Sequence, residues 1–184
     1  FLLYWTVCQK SRMMQNGLIV VASVVFYGWW DMWFIGLLLL TAFSTYFAGW
    51  WLGKTDKQKT RKWISVCTIV LNVGILFFFK YYNFFVQTFV DAFSLIGLHI
   101  GVSTLKILLP IGISFYTFSA LSYSIDVFQR KVEPTQDILA YLAYVMFFPS
   151  ILSGPISRAQ KQLPQYFKLR VFDYDKAVSA CKLI

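Results

Sequence analysis

The chain has 184 residues, of which 58% are hydrophobic, 20% aromatic and 14% charged, with a formal net charge of +9. Soluble domains carry about 25% charged residues, so this composition is that of a membrane protein, and it excludes intrinsic disorder. Cys8, Cys67 and Cys181 are odd in number and far apart, which excludes a disulfide-stapled secreted domain and predicts three reduced, buried thiols.

The 17 Lys and Arg residues fall in short clusters between long uncharged runs. That spacing fits basic loops between membrane spans. It argues against a nucleic-acid groove, which needs its charge on one accessible face. Residues 1–7 read as the tail of a span whose start lies upstream, so the chain is expected to be a piece of a longer protein. Five charge-free runs follow, over 13–30, 32–53, 63–79, 107–125 and 138–157, each 17 to 22 residues long. As helices they cover about 25–33 Å, close to the ~30 Å hydrocarbon core of a bilayer. The predicted fold is all-α and multi-pass, with five to six spans in one membrane-embedded unit over 1–184. No basic n-region precedes the first apolar segment, so a signal peptide is a poor alternative.

Orientation follows from the Lys and Arg residues of short loops. Lys10 and Arg12 precede the first complete span, and Lys54, Lys57, Lys59, Arg61 and Lys62 follow the second, which places both clusters on the cytoplasmic side. Trp29, Trp30, Asp31 and Trp33 form the opposite tip, a candidate aromatic belt. The third run then leads outward to Lys80. After it, Lys80, Asn83, Gln87, Asp91 and Ser94 share one helical face against Phe84, Phe85, Phe89, Val90 and Phe93. This predicts an amphipathic helix over 81–96 lying in the membrane interface. His99, the sole histidine, sits in a Gly-flanked turn and reads as a surface or interfacial residue.

The run over 107–125 returns the chain to Arg130 and Lys131 on the cytoplasmic side. A full crossing by 138–157 would then put Arg158, Lys161, Lys168 and Arg170 outside, against the positive-inside rule, so either an extra crossing lies between Tyr81 and Lys106 or, as is preferred, this segment is re-entrant. Thr135 is the expected cap of its helix, with Asp137 in the first turn. Pro149 and Pro155 are expected to break the helix, and Gly154 to loosen it. Broken backbone at membrane depth is tolerated only where it is buried in protein or lines a wet cavity.

Chemistry-bearing patterns are few. There is no Gly-rich phosphate loop, no G-x-S-x-G and no H-E-x-x-H, and one His without nearby Cys, Asp or Glu makes no ordinary metal site. The informative stretch is LPIGISFYTFSALSYSIDVFQRK, which starts at Leu109. Ser119, Ser122 and Asp126 recur on one helical face, Tyr116 and Tyr123 on another, and Asp126 is spaced for an i,i+4 pair with Arg130. Such faces commonly serve helix–helix packing in lipid. The second stretch, FFPSILSGPISR, ends at Arg158, whose guanidinium could hold a phosphate or carboxylate in two-pronged fashion or snorkel to lipid head groups.

With ASVVFYGWW from Ala22 and FFFKYYNFF from Phe77, these two stretches resemble the membrane-bound O-acyltransferase (MBOAT) family, in particular its bacterial alginate O-acetyltransferase-like branch. The resemblance covers nearly the whole chain in order and spacing. The branch usually has Gln where this chain has Ser119, and Tyr-Arg-Gly where it has Phe128-Gln129-Arg130. The resemblance implies a multi-pass enzyme of the bacterial inner membrane that passes an acyl group, often acetyl, to hydroxyls of an exported polysaccharide or other envelope component. The acceptor is reached directly or through a partner acetyltransferase. Acetyl-CoA or another acyl donor would be a cosubstrate, with no bound cofactor and no nucleic-acid partner.

The family's catalytic His lies on a later helix, beyond residue 184, and His99 does not match it. The expected contribution of this chain is part of the cavity wall, with Ser114, Tyr116, Ser119, Ser122, Tyr123, Asp126 and Arg158 as candidate lining residues. Two other classes fit the composition: a piece of a transporter or channel, where broken helices are common, and a non-catalytic membrane scaffold. A membrane-embedded His downstream would favour the enzyme, and a second broken-helix copy would favour transport.

Overall fold

The computed structural model describes residues 4–5, 8–30, 32–95, 110–153 and 158–182. Among them every regular element is helical and no strand occurs. After a 3₁₀ turn at Cys8–Lys10 come α1 (Arg12–Trp30), α2 (Met32–Lys54), α3 (Gln58–Leu95) and α4 (Ile113–Phe128). They are followed by α5 (Ile138–Val145), α6 (Phe148–Ser153), α7 (Ala159–Tyr166) and α8 (Tyr174–Cys181). Two segments, Met32–Lys54 and Gln58–Tyr82, are long and apolar enough to cross a membrane.

α4, built from the hydroxyl-rich stretch, is the hub of the bundle, packing on α2, α3, α5, α6 and α7. Its start is set by Gly112, at φ +71°, where a Cβ would also fall 2.3 Å from the carbonyl oxygen of Ile151. Only glycine meets both demands, because L-residues disfavour the left-handed region and the backbone of α6 occupies the space. The α2–α4 contact is equally close at Gly49, where a Cβ would lie 2.5 Å from the Tyr123 ring. Here a missing side chain lets two helices approach, the device that membrane-type packing favours.

The end of α4 is a Schellman motif. Lys131 N–H donates to the Asp126 carbonyl at 2.8 Å and Arg130 N–H to that of Val127 at 3.1 Å, with Arg130 in the left-handed region at φ +59°. Arg130 therefore points away from α4. It pairs with Asp56 at 3.2 Å, and the predicted i,i+4 pair with Asp126 gives way to this pair.

Four further expectations are corrected. The apolar run over 63–79 and the amphipathic segment over 81–96 are not two elements, because α3 runs uninterrupted through 38 residues to Leu95. No Pro or strong stop signal separates them, and a change in polarity does not by itself end a helix. The break after α5 falls at Met146 and Phe147, ahead of Pro149. That proline sits in the first turn of α6, where its missing N–H leaves no bond unmade. The cap of α5 is Asp137, which accepts from Ala140 N–H at 3.0 Å, while Thr135 accepts from Asp137 N–H at 3.1 Å. Of the cysteines, Cys8 is buried but Cys67 is exposed, on a face of α3 that also exposes Trp63, Val70 and Leu71. The side chains of Trp30 and Cys181, and all of Asp31, His99 and residues 154–157, lie outside the described parts.

The course of the segment after α4 is fixed by Arg12 at the start of α1. Its guanidinium lies 3.9 Å from Asp137, where α5 begins, and donates to the Phe167 carbonyl at 3.2 Å, just past α7. Between these points Phe148 N–H reaches Ser23, eleven residues along α1, at 3.3 Å. The chain thus leaves and returns to one end of α1.

Candidate functional site

Six of the seven predicted site residues lie on α4. Ser119, on the face turned towards α5 and α7, offers its carbonyl to the Tyr144 hydroxyl at 3.0 Å. One turn on, the Ser122 hydroxyl accepts from Ala159 N–H at 2.9 Å and so meets the N-terminus of α7. Asp126 continues this face. It is 9% exposed, and its Oδ2 has no hydrogen-bond partner among the described residues. Arg158 precedes α7 in extended conformation, with its side chain exposed one residue from the Ser122 contact. Ser119, Ser122 and Asp126 therefore share one face of α4, and the Ser122 contact with Ala159 brings the Arg158 backbone next to it.

The other three are distributed elsewhere on α4. Tyr123 is fully buried against α2, and its hydroxyl accepts from Thr135 N–H at 3.0 Å. Tyr116 stands edge-on to Tyr27 of α1, with ring centroids 6.3 Å apart, and its buried hydroxyl makes no well-formed hydrogen bond. Tyr27 donates to the Ile111 carbonyl at 2.7 Å, which ties the left-handed turn before α4 to α1. Ser114, in the first turn of α4, is half-buried.

Around α4 lies a tyrosine cluster that the sequence does not announce. Tyr141 is fully buried, its hydroxyl 2.6 Å from that of Thr45 and its ring 4.7 Å from Tyr123 and 5.4 Å from Tyr46. Tyr46 donates to the Gln136 carbonyl at 3.1 Å. Each ring fills volume and each hydroxyl finds a hydrogen-bond partner, the condition for burying a phenol at little cost.

Two more polar groups escape sequence reading. Arg61, counted above among the loop cations, is 4% exposed, and its guanidinium is shared by two helix ends. It donates to the carbonyls of Leu52 and Thr55 at the end of α2, and to those of Val127 and Phe128 at 3.1 Å each. A cation there meets the negative ends of two helix dipoles as well as their orphan carbonyls. Gln15 and Asn16, inside the first uncharged run, are buried and hold Arg170. Gln15 accepts from Arg170 N–H at 3.1 Å, Asn16 accepts from the guanidinium, and Asn16 donates to the Tyr166 carbonyl at 2.9 Å. Burial pushes the Tyr166 phenol up to about 12, with the Arg170 charge acting in the opposite direction. The signal in the sequence was the polar pair in an apolar run, legible as burial but not as a partner.

Two adjoining cavities flank α1. One, of about 500 Å³, lies between α1, the α6 start and α7, with Tyr166 and Arg170 at one end and Ala22 and Phe148 at the other. The second, of about 800 Å³, is lined by apolar residues of α1 together with Ile111 and Phe148, and ends at Trp29. Among the described residues no group of His, Cys, Asp and Glu is placed to hold a metal ion.

Fold and site together define an all-helical protein with two helices of membrane-span length and a polar, aromatic interior gathered on one short helix. Known proteins place it further. The chain is 34% identical over 169 residues to the "Probable alginate O-acetylase AlgI" of Azotobacter vinelandii, covering 91% of this chain and 33% of that protein. It is 35% identical over 173 residues to the protein of the same name from Pseudomonas aeruginosa, covering 91% and 32%. To the "Peptidoglycan O-acetyltransferase" of Helicobacter pylori it is 27% identical over 181 residues, covering 85% and 33%. No family model matches the chain, and no solved structure does. The chain is thus similar over about nine-tenths of its length to these O-acetyltransferases, and it spans about a third of the length of the curated relatives it matches.

Proposed function

We propose that the protein is a membrane O-acyltransferase, which passes acetyl from a cytoplasmic donor such as acetyl-CoA to hydroxyls of an exported polysaccharide or related envelope polymer. The observation that carries this reading is the similarity, over about nine-tenths of the chain, to relatives named for O-acetyl transfer to alginate and to peptidoglycan. The family resemblance puts the general base, a His, outside these residues. The part assigned to this chain is the wall of the reaction cavity: the α4–α7 seam with Ser119, Ser122, Asp126 and Arg158, and the Ser114, Tyr116 and Tyr123 positions of the same helix. Hydroxyls and a guanidinium there would orient an acceptor and stabilise charge on the acyl carbonyl, in a site that limits hydrolysis of the activated acyl group.

The proposed setting is the bacterial inner membrane, with α1, α2 and the first part of α3 as spans. The segment from α5 to α7 is read as re-entrant. Its support is Arg12, which touches both the entry of that segment at Asp137 and its exit at Phe167. On this reading Lys168 and Arg170 share the cytoplasmic side with Lys10 and Arg12, as the positive-inside rule requires. The acceptor is reached either directly or through a partner acetyltransferase.

The test is acyl transfer by the full-length protein in membranes supplied with labelled acetyl-CoA and its host's envelope polysaccharide. Label in the polymer, removable by mild base as an ester, is the expected result. A membrane-inserted protein that transfers to no envelope polymer overturns the proposal.

A further inference from the structure

The two cavities beside α1 meet at Ala22 and Phe148 and together form a groove along α1, open on the side where Val25, Phe26 and Trp29 are exposed. Its polar end is the guanidinium of Arg170. That group is held by the neutral amide oxygens of Gln15 and Asn16, and its carbon lies 5.1 Å from the Tyr166 ring centre and 5.6 Å from that of Tyr4. These bonds fix the guanidinium without cancelling its charge. From there the α1 side of the lining turns apolar, through Leu18, Ile19 and Ala22 and on to Val25, Phe26 and Trp29, while Gln162 and Gln165 of α7 also line the first cavity. From Asn16 to Trp29 the helix rises about 20 Å at 1.5 Å per residue. That is about two-thirds of a hydrocarbon core ~30 Å thick, so an acyl chain laid along the groove passes the bilayer midplane.

A fixed cation at the head of an apolar groove of this length matches one ligand chemistry. We infer that the groove along α1 binds an anionic phospholipid of the surrounding bilayer, with the phosphate on Arg170 and one acyl chain laid past Ala22 and Phe148 towards Trp29. The inference rests on the membrane setting proposed above and not on acetyl transfer. Charge complementarity selects the lipid over an uncharged occupant, since an apolar segment of protein would leave the Arg170 charge unanswered. A guanidinium pre-oriented by two amides and two rings loses little freedom on binding phosphate, and it presents the geometry phosphate favours.

The test uses the full-length protein in nanodiscs, with membrane insertion verified first by resistance to carbonate extraction. A phosphatidylglycerol carrying a diazirine on one acyl chain is photolysed and the labelled peptides are mapped, with phosphatidylcholine carrying the same chain as the reference. Phosphatidylglycerol is expected to label the α1 and α6 walls several-fold more than phosphatidylcholine. Arg170→Gln should remove that preference and Arg170→Lys should restore part of it. Because Arg170 also ties α1 to the segment after α7, a second variant, Ala22→Trp, fills the groove midway with Arg170 untouched. It should abolish labelling of α6 while the melting temperature holds. Equal labelling by the two lipids, a preference that survives Arg170→Gln, or no label at these walls in an inserted protein each overturn the inference. Failure to insert overturns the membrane setting instead.

Discussion

One guanidinium, that of Arg61, closes two helix ends at once. With four carbonyl acceptors and 4% exposure, its removal leaves buried oxygens at the ends of both α2 and α4 without donors. Hydrogen bonds to a charged group contribute about 1.5–3 kcal/mol each, so Arg61→Gln should lower stability by about 3 kcal/mol or more, measured as reversible unfolding in detergent. Arg61→Lys should recover less than half of the loss, because a point ammonium cannot span two helix ends as a planar fork does. Arg158 stands at the opposite extreme. Its side chain is exposed and only its backbone serves α7, accepting from Lys161 and Gln162. Arg158→Ala should therefore leave stability within about 0.5 kcal/mol, as exposed substitutions usually do, while lowering acyl transfer by the full-length enzyme. Unchanged transfer would remove Arg158 from the cavity wall.

Contacts between elements turn on where side chains are missing or strained. At Gly49, a methyl group would meet the Tyr123 ring, which is itself held between Tyr141 and Thr135 and cannot retreat. Gly49→Ala should cost about 1–3 kcal/mol through overpacking, and the loss should shrink when it is combined with Tyr123→Leu, a coupling that a double-mutant cycle measures. The end of α4 offers the opposite sign. Arg130 occupies the left-handed position of the Schellman motif, where a residue with a Cβ is disfavoured by about 1–2 kcal/mol. Arg130→Gly should raise stability by roughly 1 kcal/mol, since the pair it loses, with Asp56, lies in solvent and contributes little. A fall in the unfolding midpoint would show that the Asp56 contact outweighs the backbone strain.

For the molecule as a whole, the decisive issue is which side of the membrane each basic cluster faces. In a variant lacking the three native cysteines, single cysteines at Lys57, Lys131 and Lys168 should all react with a membrane-impermeant maleimide from the cytoplasmic side, and one at Trp29 from the other. Labelling of the Lys168 position from the outside would overturn the re-entrant reading of α5 to α7.

How far the sequence reaches can be judged element by element. The runs over 13–30 and 32–53 match α1 and α2 within a residue, because charged residues bound each run on at least one side. The helix expected over 107–125 begins later, at Ile113, among the described residues, since Pro110 biases its predecessor away from helix and Gly112 adopts a left-handed turn. The hydroxyl face of α4 was visible from spacing alone. Its partners were not, because Tyr144, Ala159 and Thr135 approach from segments 12 to 37 residues away in the chain.

By itself, then, the amino-acid sequence determined the all-helical class, two helices long and apolar enough to cross a membrane, and the family resemblance. All of these depend on local composition or on the order of short motifs. Only the tertiary structure decided that Arg61 is a buried clasp and not a loop cation, that Asp137 and not Thr135 caps α5, and that Arg130 turns to Asp56. It also decided that Arg12 gathers both ends of the segment from α5 to α7. The physical reason is common to these cases: a polar side chain's role depends on which unpaired backbone or side-chain group folding brings within hydrogen-bond reach. Spacing along one chain segment cannot specify that encounter.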